Sequence, residues 1–130
     1  FSCFRDYDKR MQLYVKALSD IISYDSDLMP GSRKIGIDFS RMNVSYNEKE
    51  RILDYLDELY PLDVIETTTQ RNYDDKIFYA EIFIDGFKDG CVIIWCTSFG
   101  GELGGAGFKG YYKYESGNWT LVKQEQGWVS

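Results

Sequence analysis

Apolar positions recur with two different periods along this chain. Between Arg5 and Tyr24 they fall at Met11, Tyr14, Val15, Leu18, Ile21 and Ile22, spaced by three and four. That spacing predicts one stripe of an amphipathic helix, with Asp6 and Asp8 at the end where the helix dipole favours negative charge. A striped helix needs a cover, and one face of a sheet is the simplest. Asp25 to Lys34, containing Pro30-Gly31, ends the helix, and Ile35-Gly36-Ile37-Asp38-Phe39 reads as a short strand. Ser45 and Glu48 form a capping box for a second helix, which presents Ile52, Leu53, Leu56 and Leu59 before Tyr60-Pro61 stops it. Leu62 to Thr68 is the next strand. This strand, helix, strand unit of about thirty residues is long enough for a right-handed parallel crossover. Gln70 to Lys76 is a polar loop.

From Ile77 the period becomes two. Ile77–Ile84 and Cys91–Ser98 are rich in β-branched and aromatic residues, and Asp85-Gly86-Phe87-Lys88-Asp89-Gly90 between them predicts a hairpin loop. With Ile84 opposite Cys91, one face carries Phe78, Ala80, Ile82, Ile84, Cys91, Ile93 and Trp95. The other carries Ile77, Tyr79, Glu81, Phe83, Val92, Ile94, Cys96 and Ser98. Strands apolar on both sides belong in the middle of a sheet, covered by the protein's own helices or by a second copy in a homodimer. A glycine-rich run, Phe99 to Gly107, leads to a second hairpin, Phe108–Glu115 and Trp119–Gln124, turning through Ser116-Gly117-Asn118. Here Phe108, Tyr112, Tyr114, Trp119 and Leu121 share a face, and Tyr114–Trp119 is the expected cross-strand anchor. The whole predicts a single α+β domain over residues 1–130. Its sheet would be mostly antiparallel and curved, of about six strands, with the N-terminal helix and the second helix packed on it.

Composition narrows the function classes. The formal net charge is −6 and the pI near 4.6, which argues against nucleic acid as a partner, since phosphate binding needs clustered Lys and Arg. No segment is apolar and long enough for a transmembrane helix. Cys91 and Cys96 lie five apart on one predicted strand, roughly 16 Å away from each other and on opposite faces, so they cannot form a disulfide there. Both are expected as small buried hydrophobes. The chain begins at Phe1, so a leader, tag or longer N-terminus is expected to have preceded it. Phe1-Ser2-Cys3 admits a reading as a bacterial lipoprotein cleavage remnant, with Cys3 lipidated and the protein exported or anchored in a cell envelope. The sequons Asn43-Val44-Ser45 and Asn118-Trp119-Thr120 are short chance patterns, and the first overlaps the helix cap.

The chain has no histidine. That removes a Ser-His-Asp triad, a Cys-His pair, a histidine base and every histidine-containing zinc site. Three scattered cysteines without a close pair disfavour a thiolate zinc site too. Carboxylates remain, with Asp38, Glu81 and Glu102 as candidates for acid and base work. Gly105-Ala106-Gly107-Phe108-Lys109-Gly110 matches a phosphate-binding glycine pattern, but Tyr111-Tyr112-Lys113-Tyr114 continues it as a strand. A dinucleotide site needs a helix N-terminus at that point. Asp85 to Gly90 lacks the ligand spacing of a calcium loop. No metal and no cofactor is expected.

A helix, a further helix and a long hairpin block ending in Gly117-Asn118-Trp119-Thr120-Leu121 resemble the NTF2-like and cystatin-like α+β proteins over residues 77–124 and the first helix. The strand, helix, strand unit departs from that pattern, and the histidine of the enzymatic members has no counterpart. The resemblance implies a concave sheet pocket and frequent non-catalytic use. The expectation is therefore a non-catalytic binding or interaction module, its ligand an unidentified protein or small molecule. Its contact surface would draw on the aromatics Tyr111, Tyr112, Tyr114 and Trp119. The alternative is a small-ligand carrier or enzyme with a cavity between sheet and helix, using a carboxylate such as Glu81.

Overall fold

A computed structural model describes residues 6–24, 34–67, 77–99 and 105–129. The predicted connections around Pro30-Gly31 and Gln70–Arg71, the candidate carboxylate Glu102 and the candidate lipid site Cys3 lie outside the described residues. Helix α1 spans Asp6–Tyr24 and helix α2 Tyr46–Leu59. The strands are β1 Lys34–Asp38, β2 Asp63–Thr67, β3 Ile77–Lys88, β4 Cys91–Phe99, β5 Gly105–Glu115 and β6 Asn118–Val129. They form one open sheet in the order β2-β1-β3-β4-β5-β6.

The sheet is mixed: among the described residues, three of its five strand pairings are antiparallel and two are parallel. β1 and β2 are parallel, as a strand, helix, strand unit demands, and β3 then enters on the other side of β1 and runs parallel to it as well. Only β3 to β6 form the antiparallel meander. Both helices pack on one face. Leu18, Ile21 and Ile22 of α1 and Ile52 and Leu56 of α2 are fully buried with Ile35, Ile37, Phe78, Ile82, Ile94 and Cys96 of the sheet. Each such side chain stabilises the fold by roughly 1.5–3 kcal/mol relative to exposure.

The first hairpin differs from its predicted register. β3 does not stop at Ile84; it continues through Asp85-Gly86-Phe87-Lys88, and only Asp89-Gly90 turns, with φ of +54° and +80°. Two residues at positive φ make the turn whose twist matches that of the strands. Ile84 therefore faces Ile94 and not Cys91, with a bulge between Ile84 and Gly86. The shift exchanges faces: Ile94, Cys96 and Ser98 join Ala80 and Ile82 under the helices, while Cys91, Ile93 and Trp95 join Tyr79, Glu81 and Phe83 on the opposite face. Glu81 and Ser98, expected together, point to opposite sides. The second hairpin keeps its expected pairing, turning on Ser116-Gly117 with φ of +54° and +84°.

The glycine pattern lies wholly inside β5, so its glycines serve the sheet. At Gly110 a Cβ atom would stand 2.6 Å from the Tyr112 ring, and the missing side chain is what lets Tyr112 lie flat under α1.

Candidate functional site

The four aromatics singled out in the sequence do not form one surface. Tyr112 is fully buried beneath α1, and its hydroxyl donates to Asp20 Oδ2 at 2.9 Å. Tyr114 and Trp119 meet edge to face with centroids 5.2 Å apart. Trp119 Nε1 donates to the carbonyl of Lys9 at 2.8 Å, and the Lys9 ammonium sits 4.3 Å above the Tyr114 ring. This pair thus fastens the start of α1 to the sheet. Tyr111 lies across the sheet from the other three, packed with Cys91 and Ile93. Its hydroxyl donates to Glu125 at 3.2 Å, and Lys123 stacks over its ring. Lysine stems and paired carboxylates cover much of this aromatic face.

Glu81 lies on the face opposite the helices, since its neighbours Ala80 and Ile82 face α1. It stands in register with Asp38 on β1, and Thr67 and Thr97 complete the row on β2 and β4. Asp38 is buried and accepts from the Ser40 N–H at 2.9 Å, closing a turn at the end of β1. Among the described residues no three Asp, Glu or Cys side chains converge as a metal site.

Cys96 and Tyr112 form the other polar cluster, inside the core. Burial pushes the Cys96 thiol up, and Asp20 adds to this while the Tyr112 hydroxyl opposes it. Burial likewise raises Tyr112, with Cys96 and Asp20 reinforcing it. Both stay protonated, so the cluster orders the core and is unsuited to nucleophilic chemistry.

An open apolar groove lies on the outer side of the helix pair. Gln12, Val15, Lys16 and Ser19 of α1 and Tyr55 and Leu59 of α2 line a groove of about 350 Å³, mostly apolar and open to solvent. Polar contacts tie the two helices together beside it: Arg10 pairs with Glu48, and the Tyr60 hydroxyl bonds Ser19 at 3.0 Å. Tyr55 is 52% and Leu59 58% exposed, whereas Ile52 and Leu56, one helical step away, are fully buried. Leu59, expected in the core stripe of α2, instead stands exposed at the groove, while Val15 packs against the core and also lines the groove. The sequence signal for this was an excess: Tyr55 and Leu59, four apart, widen the apolar face of α2 beyond what a single contact can cover. A second hollow of about 110 Å³ is lined by Tyr14, Arg41, Met42, Asn43, Phe83 and Ile84, with the Arg41 guanidinium 4.9 Å from the Phe83 ring.

Comparison with models of known protein families, with curated proteins and with solved structures found no match.

Proposed function

We propose that this chain is a non-catalytic binding module that takes a segment of a partner in the groove between α1 and α2. The observation that carries this reading is the pair Tyr55 and Leu59, large apolar side chains more than half exposed beside a groove of side-chain dimensions. Exposed apolar surface rimmed by polar groups is characteristic of interaction sites. The resemblance to NTF2-like and cystatin-like proteins, with their frequent non-catalytic use, points the same way.

The alternative, a carrier or enzyme with Glu81 in a cavity between sheet and helices, has less support. Glu81 points away from the helices, and the space under them is filled by Leu18, Ile21, Ile22, Ile82 and Ile94.

The test is selection of displayed peptides on the wild-type chain. Selected peptides should bind about tenfold or more weakly to a Tyr55→Ala, Leu59→Ala double variant, a loss of about 1.4 kcal/mol, and unchanged to Lys123→Ala on the opposite sheet face. Because both side chains are exposed, the double variant should melt within about 0.5 kcal/mol of wild type. Peptides indifferent to Tyr55 and Leu59 would remove the groove from consideration.

A further inference from the structure

Resting on the groove reading, we propose that its occupant is a cationic amphipathic helix, a partner segment with a ridge of Leu- or Phe-sized side chains flanked by Lys or Arg. The exposed side of α2 next to the groove supplies the sign, since three carboxylates there outnumber Arg51. Residues four apart on α2 form two parallel exposed ridges, Arg51-Tyr55-Leu59 beside the groove and Glu50-Asp54-Glu58 next to it. None of these three carboxylates makes an ion pair among the described residues. On the α1 side, the groove's lysine is already committed, with Lys16 Nζ 3.0 Å from Asp20.

The end of α2 points the same way. Its last turn carries no basic residue, although the partial negative charge of a helix C-terminus favours one. Asp57 has a structural use there, accepting from the Val64 N–H at 3.2 Å. Glu58 has none among the described residues, and it adds like charge to the negative end of the helix. A Lys or Arg from outside, placed beside Leu59, would answer both Glu58 and the last carbonyls of α2.

The same charges argue against other occupants. An anionic lipid surface, a nucleic acid or an acidic peptide would be repelled by the Glu50-Asp54-Glu58 ridge. A second copy of this chain, docked groove to groove, would bring two such ridges together. The shape favours a helix: a channel between two helices accepts a third by ridge-into-groove packing, and the lining from Gln12 to Ser19 of α1 runs about 10 Å, room for about two turns of a partner.

The test titrates the full chain into three labelled peptides of about 18 residues, long enough to span the groove as a helix. One has a leucine ridge with lysine flanks, one the same ridge with glutamate flanks, and one lysine flanks with glutamine in place of leucine. The leucine–lysine peptide should bind at least about tenfold tighter than either other peptide, a difference of about 1.4 kcal/mol. Its binding should weaken as salt rises from about 50 to about 500 mM. A Glu50→Gln, Asp54→Asn, Glu58→Gln triple variant should erase the preference for lysine while leaving the circular dichroism melt in place. Equal binding of the lysine and glutamate peptides, a preference that survives the triple variant, or no saturable binding of the leucine–lysine peptide would each overturn the proposal. So would a concentration-dependent dimer abolished by Leu59→Ser, which would assign the groove to a second copy. In the first three cases the groove reading stands or falls separately, on whether display-selected peptides depend on Tyr55 and Leu59.

Discussion

Asp89 and Gly90 set where β3 turns into β4. Because both take positive φ, the hairpin closes in two residues, and the bulge between Ile84 and Gly86 then brings Ile94 rather than Trp95 opposite Ile84 and toward α1. A Cβ at Gly90 would meet nothing within 4 Å, so any cost of Gly90→Ala comes from the backbone alone. Holding alanine in that conformation costs about 1–2 kcal/mol. Chemical denaturation should show that loss, whereas Asp89→Asn, which gives the preferred Asn-Gly turn, should leave stability level or slightly higher. An unchanged Gly90→Ala variant would mean that the turn is not the one described. Asp85 to Gly90 reads in the sequence as one six-residue loop, because nothing local shows that β3 continues to Lys88. The bulge after Ile84 puts Ile94 and Cys96 under the helices, and that burial, set by distant residues, favours it.

Among the elements, α2 owes its position to Glu48. The residue closes the capping box, accepting from the Ser45 N–H at 2.8 Å, and also pairs with Arg10 of α1, so one carboxylate starts one helix and ties it to the other. Burial alone would raise its pKa, but the Ser45 N–H and the Arg10 guanidinium outweigh it and hold the carboxyl below its ordinary value. A carboxylate with a depressed folded pKa adds stability above its unfolded pKa, about 4.3, and loses it as pH falls through the lower folded value. Glu48→Gln keeps an acceptor for Ser45 but loses the charge, at an expected cost of about 1–2 kcal/mol at pH 7. Urea denaturation across pH should show that gap narrowing below about pH 4.3 and closing in stronger acid. A gap independent of pH would place the effect in packing instead. The capping box was legible in the sequence because it is written within four consecutive residues, Ser45 to Glu48. The Arg10 tie was not, since it joins positions 38 apart.

At the scale of the whole molecule, α1 is the common partner of the meander, touching β3, β4, β5 and β6 as well as α2. Helix and meander should therefore unfold together. Leu18→Ala, at a fully buried site on α1, should cost about 2–5 kcal/mol, with far-ultraviolet circular dichroism and tryptophan fluorescence keeping a single coincident transition. A helical signal lost before the tryptophan signal would show that α1 docks as a separate unit. The groove sits on the solvent side of this arrangement, where Tyr55 and Leu59 can be changed without touching the buried layer between helices and sheet.

Local chemistry along the chain determined the helices, the alternating strands and the capped start of α2, because each depends on residues within one or two turns of one another. It also determined what is missing, since a chain without histidine has no histidine chemistry in any fold. Tertiary structure decided the rest. The second parallel pairing of β1, the face taken by Glu81, the separation of Tyr111 from Tyr112, Tyr114 and Trp119, and the exposure of Tyr55 and Leu59 all depend on which surfaces meet. A side chain's period tells only that it belongs to a face. Whether that face meets a sheet, a helix or solvent is set by residues far away in the chain, and that is why the groove emerged only once α1 and α2 stood side by side.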